Sequence, residues 1–299
     1  MSLQLGVLGL DEAIVNGVQA LHAPGLNLLF TAWTLAGDPL VWLLLIAGIY
    51  WSGRESRGFF LVNTVLFTLV ATGILKFMVG RPRPSLPWLE VLEHDKFVTP
   101  SFPSGHASLA AAMYAHLAPY FPALKALLAV LVIGVAVSRV YLGVHYPTDV
   151  IGGLALGWLM GKANRHVENV WRHKHFRLTQ LGDEVALIIV VVLAMLALAF
   201  MDYIPLISAL LGFYVGFFAS KELRMEKFVV KRRHLYWKEA IGYAGLLALL
   251  APIYVYRFAW VTPNASYILY FLAGIWTTLL WPLGYEELFV KRGLLIARR

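Results

Sequence analysis

The sequence contains no cysteine among its 299 residues, which excludes disulfide bonds, cysteine-ligated metal sites and thiol catalysis. Charged residues are also scarce, at 14%, whereas ordinary soluble domains carry about 25%. With 60% hydrophobic residues, the chain has too little polar surface to cover a soluble globule. This composition excludes a soluble enzyme, a disordered linker protein and a coiled coil, and it favours an integral membrane protein.

Long apolar runs predict an all-α, polytopic bundle of about nine membrane spans. A transmembrane helix needs about 20 apolar residues, and eight segments are candidates for spans: Phe59–Gly80, Phe102–Phe121, Leu124–Leu142, Pro147–Met160, Val185–Met201, Pro205–Ser220, Ala240–Tyr256 and Tyr267–Leu283.

The first span is expected to be short or broken. The apolar stretch Leu26–Trp51 is interrupted at Gly37, Asp38 and Pro39, where Asp38 is expected to cap a helix that starts at Pro39. Before it, Leu8–Phe30 is expected to form a partly amphipathic helix at one membrane face. A cleavable signal peptide is not expected, because no lysine or arginine precedes Arg54.

The distribution of lysine and arginine predicts the orientation. When loops are assigned alternately to the two sides, one side holds 19 of these residues and the other holds 6. Loops rich in lysine and arginine stay in the cytoplasm, so Lys162–Arg177, Lys221–Lys238 and the C-terminal Lys291–Arg299 are predicted to be cytoplasmic. We expect a multi-pass protein of a bacterial inner (plasma) membrane. Basic loops explain the net charge of +8, and no nucleic-acid partner is expected.

The chain divides into three predicted regions: a membrane domain at 1–161, a basic cytoplasmic linker at 162–182, and a four-span domain of unknown role at 183–299. Within the last region, Glu226–Arg232 is similar to Glu286–Arg292, and each follows a predicted span. Duplication and independent basic helix ends both explain this similarity. The sequence does not determine the oligomeric state.

Three polar segments are predicted to meet on the outer side, despite the bias that places basic residues inside. They contribute Lys76 and Arg83 at the end of a span, Ser104, Gly105 and His106 at the start of the next, and Arg139, His145 and Asp149 between two spans. Charged groups close to hydrocarbon are costly and usually functional. Three cations would attract a phosphate, and a helix N-terminus also favours an anion.

His106 and His145 predict that the site catalyses a reaction as well as binding an anion. His145 and Asp149 are four residues apart, so on a helix they would share one face and the carboxylate could orient the imidazole. This makes His145 a candidate nucleophile and His106 a candidate general acid. Each segment alone is compatible with a snorkelling anchor, a helix cap or a rigid loop. The coincidence of all three on one side supports a catalytic site.

Together, these segments resemble the three-part signature of the type-2 phosphatidic acid phosphatase superfamily, which includes lipid phosphate phosphatases and undecaprenyl-diphosphate phosphatases. The matching motifs are Lys-x6-Arg-Pro at Lys76–Pro84, Pro-Ser-Gly-His at Pro103–His106 and Ser-Arg-x5-His-x3-Asp at Ser138–Asp149. The resemblance covers about residues 25–161. Arg81 and Pro82 form a second Arg-Pro pair, but the family spacing from Lys76 selects Arg83.

The resemblance implies a phosphohistidine on His145, with Asp149 as its orienting carboxylate and His106 as the acid for the leaving group. It also implies that five residues bind the phosphoryl oxygens: Lys76, Arg83, Ser104, Gly105 and Arg139. It implies no metal and no other cofactor.

The expected function is therefore hydrolysis of a membrane lipid phosphate or diphosphate at the extracytoplasmic face. Undecaprenyl diphosphate, phosphatidylglycerophosphate and phosphatidate are the candidate substrates, and the polyprenyl diphosphate is favoured. Two alternatives remain open: a phosphotransferase that passes the phosphate to an acceptor such as lipid A, and a non-catalytic lipid transporter. The presence of His106, His145 and Asp149 argues against the transporter, because binding alone needs no nucleophile.

Overall fold

The computed structural model is mainly helical and describes residues 2–84, 99–173, 204–223, 228–230, 235–255, 263–290 and 295–297, with six isolated positions between 185 and 196. The first seven helices are α1 (Ser2–Gln19), α2 (Pro24–Thr34), α3 (Pro39–Trp51), α4 (Glu55–Val79), α5 (Gly105–Leu117), α6 (Lys125–Tyr141) and α7 (Pro147–His173). Short 3-10 turns at Leu35–Gly37 and Pro122–Leu124 precede α3 and α6.

The later helices are α8 (Ile204–Glu222), α9 (Leu235–Val255), α10 (Pro263–Ile275) and α11 (Trp281–Val290), with a π-helical turn at Trp276–Leu280. The predicted all-α class is confirmed. Among the described residues, the helices are accompanied by a short antiparallel pair, in which β1 (Phe228–Val230) is bonded to β2 (Leu295–Ala297).

Several helices are suited to cross a membrane, which confirms a multi-pass membrane protein. Among the described residues, four stretches are long and apolar enough: Glu55–Val79, Pro122–Tyr141, Ile204–Glu222 and Ala265–Leu288. A helix pair formed by Pro24–Gly37 and Pro39–Trp51, bent by 55°, is a fifth candidate. The predicted span Val185–Met201 falls mostly outside the described residues, and the count of nine spans stays a prediction.

The break in the first span is confirmed. Helix α3 begins at Pro39, and the Asp38 carboxylate accepts a hydrogen bond from the Leu40 amide at 2.7 Å. The expectation of a single helix over Leu8–Phe30 is wrong, because α1 ends at Gln19 and α2 begins at Pro24. Proline has no N–H to donate within a helix, and its fixed φ suits the first helical turn, so it starts a new helix.

The chain forms two compact units whose limits differ from the regions expected from the sequence. The first comprises Met1–Trp42 and Asn63–His175, and the second comprises Leu43–Val62 and Phe176–Arg299. The second unit includes residues 43–62, and the division at 161 and 182 stays a prediction. Helix α7 also continues as one helix through the expected start of the linker, at residue 162, to His173.

In the first unit, α5 and α7 approach closely because glycines line one face of α7. A Cβ added at Gly157 would lie 1.9 Å from the Ser108 carbonyl oxygen, and one at Gly161 would lie 2.2 Å from that of Ala112. One turn earlier, a Cβ at Gly153 would lie 2.6 Å from the Ser104 oxygen. Small residues spaced by four allow helix backbones to touch in membranes. The start of α5 is thereby held against the start of α7.

A buried polar cluster joins α4, α5 and α7, away from the helix ends that carry Lys76, Ser104 and Asp149. His116 and Glu168 are both fully buried, and His116 Nε2 lies 2.8 Å from Glu168 Oε2. The other ring nitrogen of His116 lies 2.7 Å from the Thr64 hydroxyl oxygen. Because a buried polar group is costly when it loses its partner, this cluster favours one register of the three helices.

The second unit uses the same close packing. A Cβ at Gly212 would lie 2.0 Å from the Phe271 carbonyl oxygen, and one at Gly216 would lie 2.2 Å from the Thr278 hydroxyl. These glycines, spaced by four, let α8 pack closely against α10 and the π-helical turn. The two similar sequence segments, in contrast, differ in structure, since Phe228–Val230 is a strand and the matching residues 288–290 end a helix.

We predict that Gly157→Ala destabilises the first unit by about 1–3 kcal/mol, because the added methyl group must displace the α5 backbone. Thermal unfolding of the purified protein in detergent measures this loss. Gly17→Ala, in α1, is the matched control, because a Cβ there meets nothing within 4 Å. Equal stability of both variants would contradict the close contact.

Candidate active site

All eight residues selected from the sequence lie together at one end of the first unit. Lys76 lies in the last turn of α4, which Gly80 ends with a φ of 61°. That conformation costs glycine nothing and ends helices readily, and it turns the chain toward Arg83. Arg139 lies in the last turn of α6, and His145 precedes the first residue of α7.

Lys76 and Arg139 lie at this pocket, and both donate hydrogen bonds to neighbouring oxygens of the chain. Lys76 is 7% exposed and donates to the carbonyl groups of Pro100 and Ser101. Arg139 is fully buried and donates to the Thr34 hydroxyl at 2.7 Å. Dipoles of neutral groups stabilise a buried charge without cancelling it. The cations therefore give the pocket a positive potential that attracts an anion.

Arg83 fixes the protonation of His145. Its guanidinium donates to the Val144 carbonyl at 2.9 Å and lies 3.3 Å from His145 Nε2. Arginine can only donate, so Nε2 is the acceptor and the proton of the neutral ring is on Nδ1. The unprotonated Nε2 therefore faces the cation that would hold a phosphoryl oxygen.

The contact between His145 and Asp149 is less direct than the four-residue spacing predicted. Because His145 precedes α7, the two side chains meet across a turn, and His145 Nδ1 lies 3.6 Å from Asp149 Oδ2. That distance exceeds a normal hydrogen bond. The Ser101 hydroxyl lies beside both groups, with its oxygen 3.4 Å from Nδ1, and donates to Asp149 Oδ2.

The start of α5 supplies neutral donors for an anion. Ser104 precedes the helix, and its amide donates to the Asp149 carbonyl at 3.0 Å. Its hydroxyl is fully buried, with no hydrogen-bond partner among the described residues. The amides of the first turn have no partner within the helix and carry the positive end of its dipole. His106, partly exposed in that turn, faces the same pocket.

Three residues near the site were not selected from the sequence. Arg81 donates to Asp149 Oδ1 at 2.8 Å and to Asp11 Oδ2 at 2.7 Å, so its charge is shared by two carboxylates. The Ser101 hydroxyl contacts both His145 and Asp149. The one signal for Asp11 is its place in an acidic pair within an otherwise uncharged N-terminal stretch.

No three histidine, aspartate or glutamate side chains of the described residues lie close enough together to hold a metal ion.

Comparison with known proteins identifies the family. The model of the PAP2 superfamily matches residues 57–173. Phosphatidylglycerophosphatase B of Bacillus subtilis is 32% identical over 165 residues, which cover 50% of this chain and 79% of that protein. The chain belongs to the PAP2 superfamily. Together with its apolar helices, this membership makes it a membrane lipid phosphatase.

Two further PAP2 relatives act on other lipids, according to their names. Decaprenylphosphoryl-5-phosphoribose phosphatase of Mycobacterium tuberculosis is 36% identical over 158 residues, which cover 50% of this chain and 86% of that protein. Lipid A 1-phosphatase of Rhizobium etli is 36% identical over 107 residues, which cover 33% of this chain but only 45% of that protein. The chain therefore spans less than half of the lipid A phosphatase.

We predict that His145 is neutral at pH 7, with its proton on Nδ1. Burial lowers the pKa of His145 well below its usual 6.5, and the positive charges of Arg83, Arg139 and Lys76 lower it further. A lowered pKa means that protonation begins only below pH 6.5. Nitrogen NMR of histidine-labelled protein, with the His145 signals identified by their loss in His145→Ala, measures both properties. An imidazolium at pH 7, or a proton on Nε2, would contradict the site geometry.

Proposed function

We propose that this PAP2 phosphatase removes a phosphoryl group from a membrane lipid through a phosphohistidine intermediate on His145. The observation that carries the proposal is the placement of His145 Nε2. It is unprotonated, 3.3 Å from Arg83, and within electrostatic reach of Arg139 and Lys76. A nucleophile with an available electron pair in a cationic pocket suits attack on a phosphate.

In the first step, His145 Nε2 forms a bond to phosphorus while the bond from phosphorus to the lipid oxygen breaks. His106, which carries an extra proton once the anionic phosphate offsets the positive charges that lower its pKa, donates that proton to the lipid oxygen and becomes the base that activates water. In the second step, water attacks phosphorus, the bond to Nε2 breaks, and inorganic phosphate leaves. The transition states spread negative charge over the equatorial oxygens. Lys76, Arg83, Arg139 and the start of α5 stabilise that charge.

The substrate is a lipid whose tail stays in the bilayer while its phosphate enters the pocket. Relatives named for phosphatidylglycerophosphate, lipid A and a decaprenyl phosphate support this class. Within it, we favour a polyprenyl diphosphate such as undecaprenyl diphosphate over phosphatidylglycerophosphate and phosphatidate. That diphosphate arises at the outer face, where the distribution of basic residues would place the site.

His145→Ala should lower kcat for phosphate release by about 10⁴-fold or more, because the nucleophile is lost. Asp149→Asn should be less severe, since an orienting group leaves more residual activity than the nucleophile when it is removed. Phosphate release from a panel of lipid phosphates by the purified protein in detergent measures both. Elution by size exclusion and thermal unfolding serve as the folding control. A folded His145→Ala protein with near wild-type turnover would disprove the proposal.

The active site is proposed to face the outside of the inner membrane, with the C-terminus in the cytoplasm. Because the chain has no cysteine, one introduced thiol reports accessibility cleanly. Glu93→Cys, in the predicted outer loop, should react with an impermeant maleimide in intact spheroplasts. His166→Cys, on an exposed position of α7, should react only after lysis. The reverse labelling pattern would place the chemistry in the cytoplasm.

A further inference from the structure

The Asp149 carboxylate is held by three donors, none of which is His145. The Ser101 hydroxyl and the Tyr146 amide donate to Oδ2, the amide at 2.9 Å, and Arg81 donates to Oδ1 at 2.8 Å. Asp149 is fully buried, so each of these bonds is made away from water. The Ser101 hydroxyl therefore contacts both the carboxylate and the His145 ring, while Asp149 Oδ2 itself lies 3.6 Å from Nδ1.

Arg81 is itself fixed on its far side by Asp11. The second guanidinium nitrogen of Arg81 lies 2.7 Å from Asp11 Oδ2, and the guanidinium carbon lies 4.2 Å from the centre of the Tyr146 ring. Asp11 is 2% exposed and also accepts from the Thr148 amide at 3.1 Å and from its hydroxyl. One carboxylate therefore holds both Arg81 and the first turn of α7.

Helix α1, which carries Asp11, is anchored to the rest of the first unit. Val15 is completely buried, and the Gln19 side-chain amide donates to the Tyr141 carbonyl at 3.2 Å. Asp11 lies outside residues 57–173, where the superfamily model matches. The constraint on Asp149 thus comes from a part of the chain that the family motifs do not include.

We propose that Ser101, Arg81 and Asp11 are positioning residues. Ser101 connects the Asp149 carboxylate to the His145 ring, and Arg81 and Asp11 hold that carboxylate in place. The proposal rests on His145 being the nucleophile. The Nδ1 proton lies near both the backbone and the hydroxyl oxygen of Ser101, and the Ser101 hydroxyl proton is directed at Asp149. When Nε2 binds phosphorus, the ring gains positive charge, and this chain lets Asp149 stabilise it. Arg81, fixed by Asp11, prevents the carboxylate from turning away.

Asp11→Asn should lower kcat for lipid phosphate hydrolysis by about 10- to 100-fold, the range seen for outer-shell hydrogen-bond partners, and leave KM near the wild-type value. The phosphate-binding cations do not contact Asp11, so binding should not change. Glu12→Gln is the matched control. It removes the same charge from the neighbouring position and should retain wild-type kinetics. Ser101→Ala should lower kcat similarly, and Ser101→Thr, which keeps the hydroxyl, should recover part of the loss.

A double-mutant cycle separates positioning from a general structural role. If Asp11 and Ser101 act through Asp149, then Asp11→Asn and Ser101→Ala should cost almost nothing further in an Asp149→Asn background. Multiplicative losses in kcat, an effect confined to KM, or wild-type kinetics of folded Asp11→Asn and Ser101→Ala would overturn the inference. If Asp11→Asn does not fold, Arg81→Lys replaces it in the double-mutant cycle and tests the support of the Asp149 carboxylate.

Failure of the positioning role can be distinguished from failure of the proposed phosphatase mechanism. If wild-type protein releases no phosphate, or folded His145→Ala remains active, the nucleophile is wrong. If His145 is required and the positioning variants are multiplicative with Asp149→Asn, only the positioning role is wrong.

Discussion

The close contact between α5 and α7 is the constraint on which the site depends. Gly153 and Gly157 let the α7 backbone touch α5, and at the top of this contact the Ser104 amide bonds to the Asp149 carbonyl at 3.0 Å. The helix N-terminus that favours an anion is therefore fixed beside the turn that carries His145. Lys76 at the end of α4 and Arg139 at the end of α6 then lie beside this fixed pair of helix ends. Larger side chains at these glycines would separate the anion site from the nucleophile.

Two arginines separated by one residue serve different purposes, and charge explains the difference. Arg83 lies 3.3 Å from His145 Nε2 and donates to the Thr99 and Val144 carbonyl groups, which places its charge beside the nitrogen that would receive a phosphoryl group. Arg81 lies between Asp11 and Asp149, where buried carboxylates require a cation. The pocket thus keeps carboxylates away from the phosphate while still using one to orient the histidine. A single arginine could not satisfy both demands.

Local patterns predicted much of this structure, and contacts between distant residues account for the rest. Composition alone indicated membrane helices, and Asp38 and Pro39 predicted the break in the first span because capping is a short-range effect. The spacing of Lys76 and Arg83 in the family motif selected the arginine that reaches His145. In contrast, nothing near Asp11 in the sequence indicates Arg81, 70 residues away. The role of Ser101 depends on a turn that places His145 before α7, which the four-residue spacing did not predict.

A bond between phosphorus and His145 is the step on which the proposed mechanism depends, and trapping that adduct reports it without reference to turnover. Wild-type protein mixed with a lipid substrate carrying a labelled terminal phosphate, then quenched in alkaline denaturant within one turnover, should retain label on the peptide that contains His145. The adduct should be stable to base and labile to acid, as expected of a phosphoramidate, and absent from His145→Ala. Turnover without labelled protein at any quench time, or label on another residue, would contradict a phosphohistidine on His145.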